Sequence, residues 1–306
     1  MKSLEQHIND YLYFCTSQKR LDQKTLKAYK NDLSQFCRLT PYDDVTLITV
    51  DCLEAFIAAL HRTYKPKSAK RKIASVKAFF HYLEYKDLIL SNPFNKMQTR
   101  FREPVILPKT IPLYTMELFF KTVYNSHAKA DTLYRQKKTL QDIAVVELLF
   151  STGIRISELC TLKDSDVNLY DRTILIYGKG AKERRLQIAN DDVLAILIKY
   201  RQHFSSEIQK CNYFFIGPHA TPISDQSIRR MLKKYASLAG INMNITPHMF
   251  RHTFATSLLE SDVDIRYIQE MLGHSSINIT QIYTHVTTSK QKDILMTKHP
   301  RKDFCI

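Results

Sequence analysis

The feature that most constrains this chain is the segment 91–112, SNPFNKMQTRFREPVILPKTIP, which holds four of its ten prolines. Proline lacks a backbone N–H and disfavours helix in the residue before it, so such a segment is extended and interrupts any helical pattern. A chain of 306 residues is also long enough for two domains. The segment therefore predicts one domain over 1–100, a basic proline-rich linker over 101–112 and a second domain over 113–306.

The residues before this break have apolar side chains at helical spacing and no strand pattern. Ser3 and Gln6 match a capping box at the start of the first helix. A second helix is predicted before residue 39, a third over 50–64, and a fourth over 65–85, which opens with a dense basic run. We therefore expect a small all-helical bundle over the first hundred residues.

The second domain combines a helical pattern with one short hairpin. The run TILIYGKGAKERRLQIA has strand character on both sides of a Gly-Lys-Gly turn. The predicted fold class is therefore mainly α, with a helical bundle followed by a mostly helical α/β domain that contains a small antiparallel sheet. The helices predicted in that domain span 114–125, 139–152, 190–204, 224–239, 246–260 and 264–272.

The charge of the chain indicates a polyanionic partner. The net charge is +15, and the positive charge is spread over both predicted domains. Nucleic acid bound along the whole chain explains this distribution better than a membrane surface, because no strongly basic amphipathic terminus is present. The sequence has neither an 18-residue apolar run, nor an apolar signal-peptide core, nor a Cys-x-x-Cys pair among its six cysteines. It predicts a cytoplasmic, nucleoid-associated protein with reduced thiols.

Two motifs in the second domain place a cation beside a glycine. In TGIRISEL, 152–159, Arg155 follows a glycine turn, and Glu158 lies one helical turn further on, where it can orient the guanidinium. Taken alone, Arg155 also suits an ordinary surface cation. In GKGAKER, 178–184, Lys179 lies at a hairpin tip, which also suits a solvated turn. The second motif is not a phosphate-binding P-loop, because glycine follows the lysine.

Two further motifs add histidines, a second arginine and a tyrosine. In TPHMFRHTFA, 246–255, a helix begins with Thr-Pro and carries His248, Arg251 and His252 on one face. This face suits an anion better than zinc, because the glutamate of a metalloprotease motif is replaced by methionine. In LGHSSINITQIYTHV, 272–286, Tyr283 follows His274 by nine residues. Alone, this segment also suits a helix-turn-helix DNA reader or a core tyrosine.

These side chains have a shared chemical logic. Two arginines can bracket the oxygens of a phosphodiester and stabilise the added charge of its transition state. A lysine or histidine can protonate the leaving oxygen, and a tyrosine hydroxyl can attack the phosphorus and hold the phosphate covalently. Because the cations supply the charge, the pattern predicts a reaction with no metal and no other cofactor.

The order of the motifs makes the chain resemble the tyrosine recombinases, the phage-integrase family that includes the Xer recombinases. The resemblance covers essentially the whole second domain, and the helical first domain is similar in architecture to the family's core-binding domain. All six signature positions are filled in order by Arg155, Lys179, His248, Arg251, His274 and Tyr283.

The resemblance implies a role for each residue. Tyr283 attacks the scissile phosphate and leaves a 3′-phosphotyrosyl link and a free 5′-hydroxyl, while Arg155 and Arg251 clamp the phosphate. Lys179 is the general acid, although Lys182 lies near it and the assignment rests on the Gly-Lys-Gly match. A 5′-hydroxyl from a partner DNA then reverses the step, so that ATP is not needed. The remaining roles are assistance in proton transfer by His248 and His274, and support of the site by Glu158 and His252.

The resemblance also implies the partners. These are double-stranded DNA with short inverted core sites, held in a C-shaped clamp, and a homo-tetramer on paired sites in which the C-terminal tail docks on a neighbour. A partner recombinase or an accessory protein is a further expectation. The candidate DNA contacts are the basic residues of the fourth helix, the linker and the hairpin: Lys67, Lys70, Arg71, Lys72, Lys77, Arg100, Arg102, Lys182 and Arg184.

Several alternatives stay open from the sequence. The reaction can serve integration, excision, inversion or dimer resolution. A DNA-binding protein without catalysis and a nicking-closing enzyme similar to type IB topoisomerases are the rival functions. The stretch 125–139 is predicted to be a connection longer than that of compact family members, either a basic loop that touches DNA or tolerated surface.

Overall fold

We describe a computed structural model of the chain over residues 2–98, 109–177 and 183–273. The chain divides into two compact units, an amino-terminal unit, Met1–Val105, and a carboxy-terminal unit, Ile106–Ile306. Among the described residues, no helix is long and apolar enough to cross a membrane. The predictions made for Arg100, Arg102, Lys179, Lys182, His274 and Tyr283 lie outside the described residues.

The amino-terminal unit is a bundle of four helices, as predicted. They are α1, Leu4–Ser17, α2, Gln23–Leu39, α3, Val50–Thr63, and α4, Pro66–Tyr85. The predicted capping box is present, because the Ser3 hydroxyl accepts from the Gln6 amide and the Gln6 side chain accepts from the Ser3 amide. The core contains edge-to-face aromatic pairs, which hold the bundle together, including Phe36–Phe80 and Phe80–Phe94.

The carboxy-terminal unit is mostly helical with one three-stranded antiparallel sheet, which confirms the predicted fold class. The strands are β1, Val167–Asn168, β2, Thr173–Tyr177, and β3, Glu183–Gln187, in the order β1-β2-β3. The helices are α5, Leu113–Ala128, α6, Leu133–Thr152, α7, Ile156–Cys160, α8, Asp191–His203, α9, Ser205–Cys211, α10, Asp225–Leu238, α11, Pro247–Glu260, and α12, Ile265–Leu272.

The structure corrects the prediction of a long connection over 125–139. Helix α5 continues to Ala128, and α6 begins at Leu133, so that only a short turn separates them. Helix α6 begins before the predicted residue 139 because Thr132 caps it. The Thr132 hydroxyl accepts from the Arg135 amide, which would otherwise lack a partner in the first turn. The short elements α7, α9 and β1 were also absent from the sequence prediction, since a few residues carry little periodicity.

Helix α6 is the centre of the carboxy-terminal unit and positions the site. It contacts α5, α8 and α11, and most of its second half is buried. The polar side chain of Asp142 is enclosed there because it has partners: it accepts from the Tyr235 hydroxyl and from the Lys138 ammonium, each at 3.0 Å. A helix fixed on several sides gives the turn at its C-terminus a defined position.

Candidate active site

The turn after α6 places Arg155. The helix ends at Gly153, whose φ of 60° lies in the left-handed region that glycine adopts without steric cost. A Cβ at this position would lie 2.6 Å from Cδ1 of Phe254, so the close approach of α11 also requires glycine. The chain then reverses, Ile154 is buried, and Arg155 stands immediately before α7.

Glu158 holds Arg155 as the motif predicted. Its carboxylate accepts from Nη1 of Arg155 at 2.8 Å and from the Arg155 amide at 2.9 Å. The Glu158 side chain is 8% exposed, whereas that of Arg155 is 32% exposed. Burial would raise the pKa of Glu158, but hydrogen bonds and charge from Arg184, with further bonds from Arg155, bring this pKa below its ordinary value. The carboxylate is therefore ionised, and it leaves the guanidinium of Arg155 partly open to solvent.

Helix α11 supplies the second arginine. Thr246 caps the helix as predicted, by accepting from the Met249 amide. Arg251 is 4% exposed and donates from Nη1 to the Gly153 carbonyl at 2.8 Å and from Nη2 to the Leu272 carbonyl at 2.6 Å. Arg155 donates from Nη2 to the neighbouring Gly273 carbonyl at 3.0 Å. The two guanidinium groups therefore meet at the C-terminus of α12, where carbonyls lack helical partners.

The two histidines of α11 lie beside these arginines. Loss of hydration lowers the pKa of His248, and the charges of Arg229, Arg251 and Arg155 lower it further, against the opposing effect of Asp225. Burial, with smaller effects of His248 and Arg251, lowers the pKa of His252 to about 4. Both rings are therefore neutral near pH 7. A neutral imidazole can donate one hydrogen bond to an anion without being a fixed charge.

Arg184 was expected to contact DNA, but its side chain is only 10% exposed. It lies on β3 and donates from Nη1 and Nη2 to the two oxygens of Glu158, at 2.9 and 2.7 Å. Its Nε donates to the Met271 carbonyl at 3.0 Å. The structure thus brings Arg184 together with Arg155 and Glu158, inside the carboxy-terminal unit.

The basic residues of α4 divide into an outer set and one internal residue. Lys72 is 9% exposed, and its ammonium group donates to Asp32 at 3.1 Å and to Gln35 at 2.6 Å. Arg71 also bonds Asp32, although half of its side chain remains in solvent. Because the ammonium group of Lys72 joins α4 to α2, we leave Lys72 out of the proposed DNA surface. The exposed residues of α4 include Lys67, Lys70 and Lys77.

A basic face of α10 was missed by the sequence analysis. Arg229, Arg230, Lys233 and Lys234 are all exposed, and Arg229 lies near enough to His248 to lower its pKa. The signal was present in the sequence, because basic residues at i, i+1, i+4 and i+5 share one side of a helix. Within the described ranges, no group of three or more His, Cys, Asp or Glu side chains is arranged to hold a metal ion.

Comparisons with known proteins identify the family of this chain. Residues 124–290 match the model of the phage integrase family, and residues 8–86 match its N-terminal SAM-like domain. The chain is 65% identical to a tyrosine recombinase of Agathobacter rectalis, with 99% of each chain covered, and 35% identical to the tyrosine recombinase XerD of Listeria monocytogenes, with 96% and 98% covered. Among solved structures it resembles the XerH site-specific recombinase bound to a palindromic difH substrate, with a TM-score of 0.76, 20% identity and coverage of 96% and 95%. The chain therefore belongs to the phage integrase family of tyrosine recombinases.

Proposed function

We propose that this chain is a site-specific DNA recombinase that cuts and rejoins DNA through a 3′-phosphotyrosyl intermediate on Tyr283. The observation that carries the proposal is the meeting of Arg155 and Arg251 at the carbonyls of residues 272 and 273. In the sequence, His274 follows at once and Tyr283 nine residues later. Two guanidinium groups suit the two non-bridging oxygens of a phosphodiester and keep their charge at any physiological pH.

The proposed reaction consists of two balanced exchanges. The Tyr283 oxygen forms a bond to phosphorus as the bond to the 5′-oxygen breaks; the tyrosine proton passes to His248 or His274, and Lys179 gives a proton to the leaving oxygen. The 5′-hydroxyl of a partner strand then attacks the phosphotyrosine and gives its proton to Lys179, while the leaving Tyr283 oxygen takes its proton back from the histidine. One phosphoester replaces another in each step, so neither ATP nor a metal is required. His248 and His274 donate hydrogen bonds to the phosphate.

The proposed DNA surface has one part in each unit. On α4 it consists of Lys67, Lys70, Arg71 and Lys77, whose exposed side chains suit contacts to phosphates. In the carboxy-terminal unit it is the basic face of α10. We also propose a homo-tetramer on paired sites, with the C-terminal tail docking on a neighbour, because exchange between two duplexes needs four active tyrosines.

A nicked substrate with the native site tests the chemistry. The short strand beyond the nick diffuses away after cleavage, so that the covalent complex accumulates and is visible on a denaturing gel. We expect a DNA-linked band for the wild type and none for Tyr283→Phe. Tyr170→Phe is the matched control, because Tyr170 is 95% exposed and lies in the same unit. A wild type without the band, or a Tyr283→Phe variant with it, would falsify the proposal.

A plasmid with two sites separates recombination from nicking and closing. The proposal expects exchange of the flanking DNA between the sites. Relaxation of supercoils with no exchange would instead indicate an enzyme that acts on one duplex. The sequence that flanks the gene is the first place to look for the site.

A further inference from the structure

Arg184 and Arg185 are adjacent on β3 but have different surroundings. Arg185 is exposed, and no ion pair to it occurs among the described residues. Arg184 is enclosed, and each of its three guanidinium nitrogens donates a hydrogen bond within the carboxy-terminal unit. A guanidinium that is desolvated and bonded in this way has a specific internal role, since burying an unpaired charge costs several kcal/mol.

Arg155 and Arg184 together occupy the hydrogen-bond acceptor positions of the Glu158 carboxylate. Its Oε1 accepts from Nη1 of Arg155 and Nη1 of Arg184, and its Oε2 accepts from the Arg155 amide and Nη2 of Arg184. A carboxylate has about four lone-pair sites, so this one has no position left into which it can turn. Removal of Arg184 empties two of the four and allows the carboxylate, with Arg155, to rotate.

The C-terminus of α12 is bound by the same set of side chains. Three successive carbonyls accept from three arginines: Met271 from Arg184, Leu272 from Arg251 and Gly273 from Arg155. A Cβ at Gly273 would lie 2.9 Å from Cδ of Arg184, so the strand and the helix end meet closely. Arg184 is therefore part of the structure that holds both arginines of the site.

We propose that Arg184 is a positioning residue, which fixes Arg155 through Glu158 and fixes the end of α12 through the Met271 carbonyl, and that it does not contact DNA. The inference rests on the proposed function for its effect on catalysis. It assigns the charge of Arg184 to the internal geometry of the site.

The first test compares Arg184→Ala with Arg185→Ala, which removes the same charge from the same strand. We expect the two variants to bind DNA with the same affinity, within about threefold, and with the same salt dependence. At saturating protein, the rate of adduct formation by Arg184→Ala should fall by roughly ten- to a hundredfold, because a small displacement of a phosphate ligand is that costly. Arg185→Ala should keep the wild-type rate.

Arg184→Lys covers the case in which the alanine variant does not fold. Lysine keeps the charge but loses the planar pair of donors, so a positioning role predicts a low rate and a DNA contact predicts full rescue. Combining Arg184→Ala with Glu158→Ala should be no worse than the more damaging single change, because the two residues act as one unit. Full rescue by lysine, or weaker DNA binding with an unchanged saturated rate, overturns the inference.

Hydrogen exchange separates this inference from the proposed function. Amides of α12 should exchange faster in Arg184→Ala than in Arg185→Ala, whether or not the chain cuts DNA, because the helix end has lost a partner. If the wild type forms no adduct, the proposed function fails, and the exchange result still decides the structural role. Equal exchange in the two variants refutes that role.

Discussion

Gly153 and Gly240 offer a matched test of how tightly the site is packed. Both have left-handed backbones, with φ of 60° and 66°. A Cβ at Gly153 would lie 2.6 Å from Cδ1 of Phe254 and 3.1 Å from Cδ2 of Leu272. At Gly240, no described atom lies within 4 Å of that Cβ. Substitution by alanine therefore imposes similar backbone strain at both positions but a steric clash only at Gly153.

The expected magnitudes follow from these two effects. An alanine in the left-handed backbone region costs about 1–2 kcal/mol. Alanine also reduces the conformational entropy of the unfolded chain, which offsets about 0.4–1 kcal/mol of this cost. Gly240→Ala should therefore lower the free energy of unfolding by about 1 kcal/mol. Overpacking adds about 1–3 kcal/mol, so the expected loss for Gly153→Ala is about 2–4 kcal/mol. In a unit of this size, those losses correspond to Tm decreases of roughly 2–4 °C and 4–16 °C.

Scanning calorimetry measures both variants on the same transition, since both glycines belong to the carboxy-terminal unit. Adduct formation provides the second readout. The Gly153 carbonyl accepts from Arg251, so its displacement should slow cleavage, whereas Gly240→Ala should cut DNA at the wild-type rate. Equal Tm decreases in the two variants, or normal cleavage by a destabilised Gly153→Ala, would refute the reasoning.

Three further predictions follow from buried or exposed charges. Asp32→Ala removes the carboxylate that neutralises the enclosed charge of Lys72, and it should lower the free energy of unfolding of the amino-terminal unit by about 3 kcal/mol in chemical denaturation. Adding Lys72→Met removes that charge as well and should recover most of the loss. His252 has a pKa of about 4, below its unfolded value, so the unfolded chain binds the proton first and stability falls between pH 6.5 and 4. Allowing for solvent screening, this loss is about 1–2 kcal/mol, and His252→Gln should remove it from the pH dependence of Tm. Lys77→Ala should reduce the slope of log K for DNA against log salt by about 1, whereas Lys72→Met should leave it unchanged in anisotropy titrations.

The sequence by itself determined the local structure and the order of the functional residues. Ser3 and Thr246 each cap a helix by accepting from an amide three residues later, so the neighbouring residues suffice to predict where these helices begin. The same holds for the glycine after α6 and for Glu158 beside Arg155, which lies within one helical turn. The family resemblance also needs only the motifs in their order along the chain.

Only the tertiary structure decided what each basic residue does. Lys72 and Lys77 look alike in the sequence, but Lys72 meets Asp32, which lies 40 residues earlier on another helix. The sequence predicts a DNA contact at Arg184, whereas in the structure its side chain bonds Glu158, 26 residues before it. The sequence does not show which carboxylate pairs with a given lysine or arginine. That depends on which distant residue the fold brings within hydrogen-bonding distance.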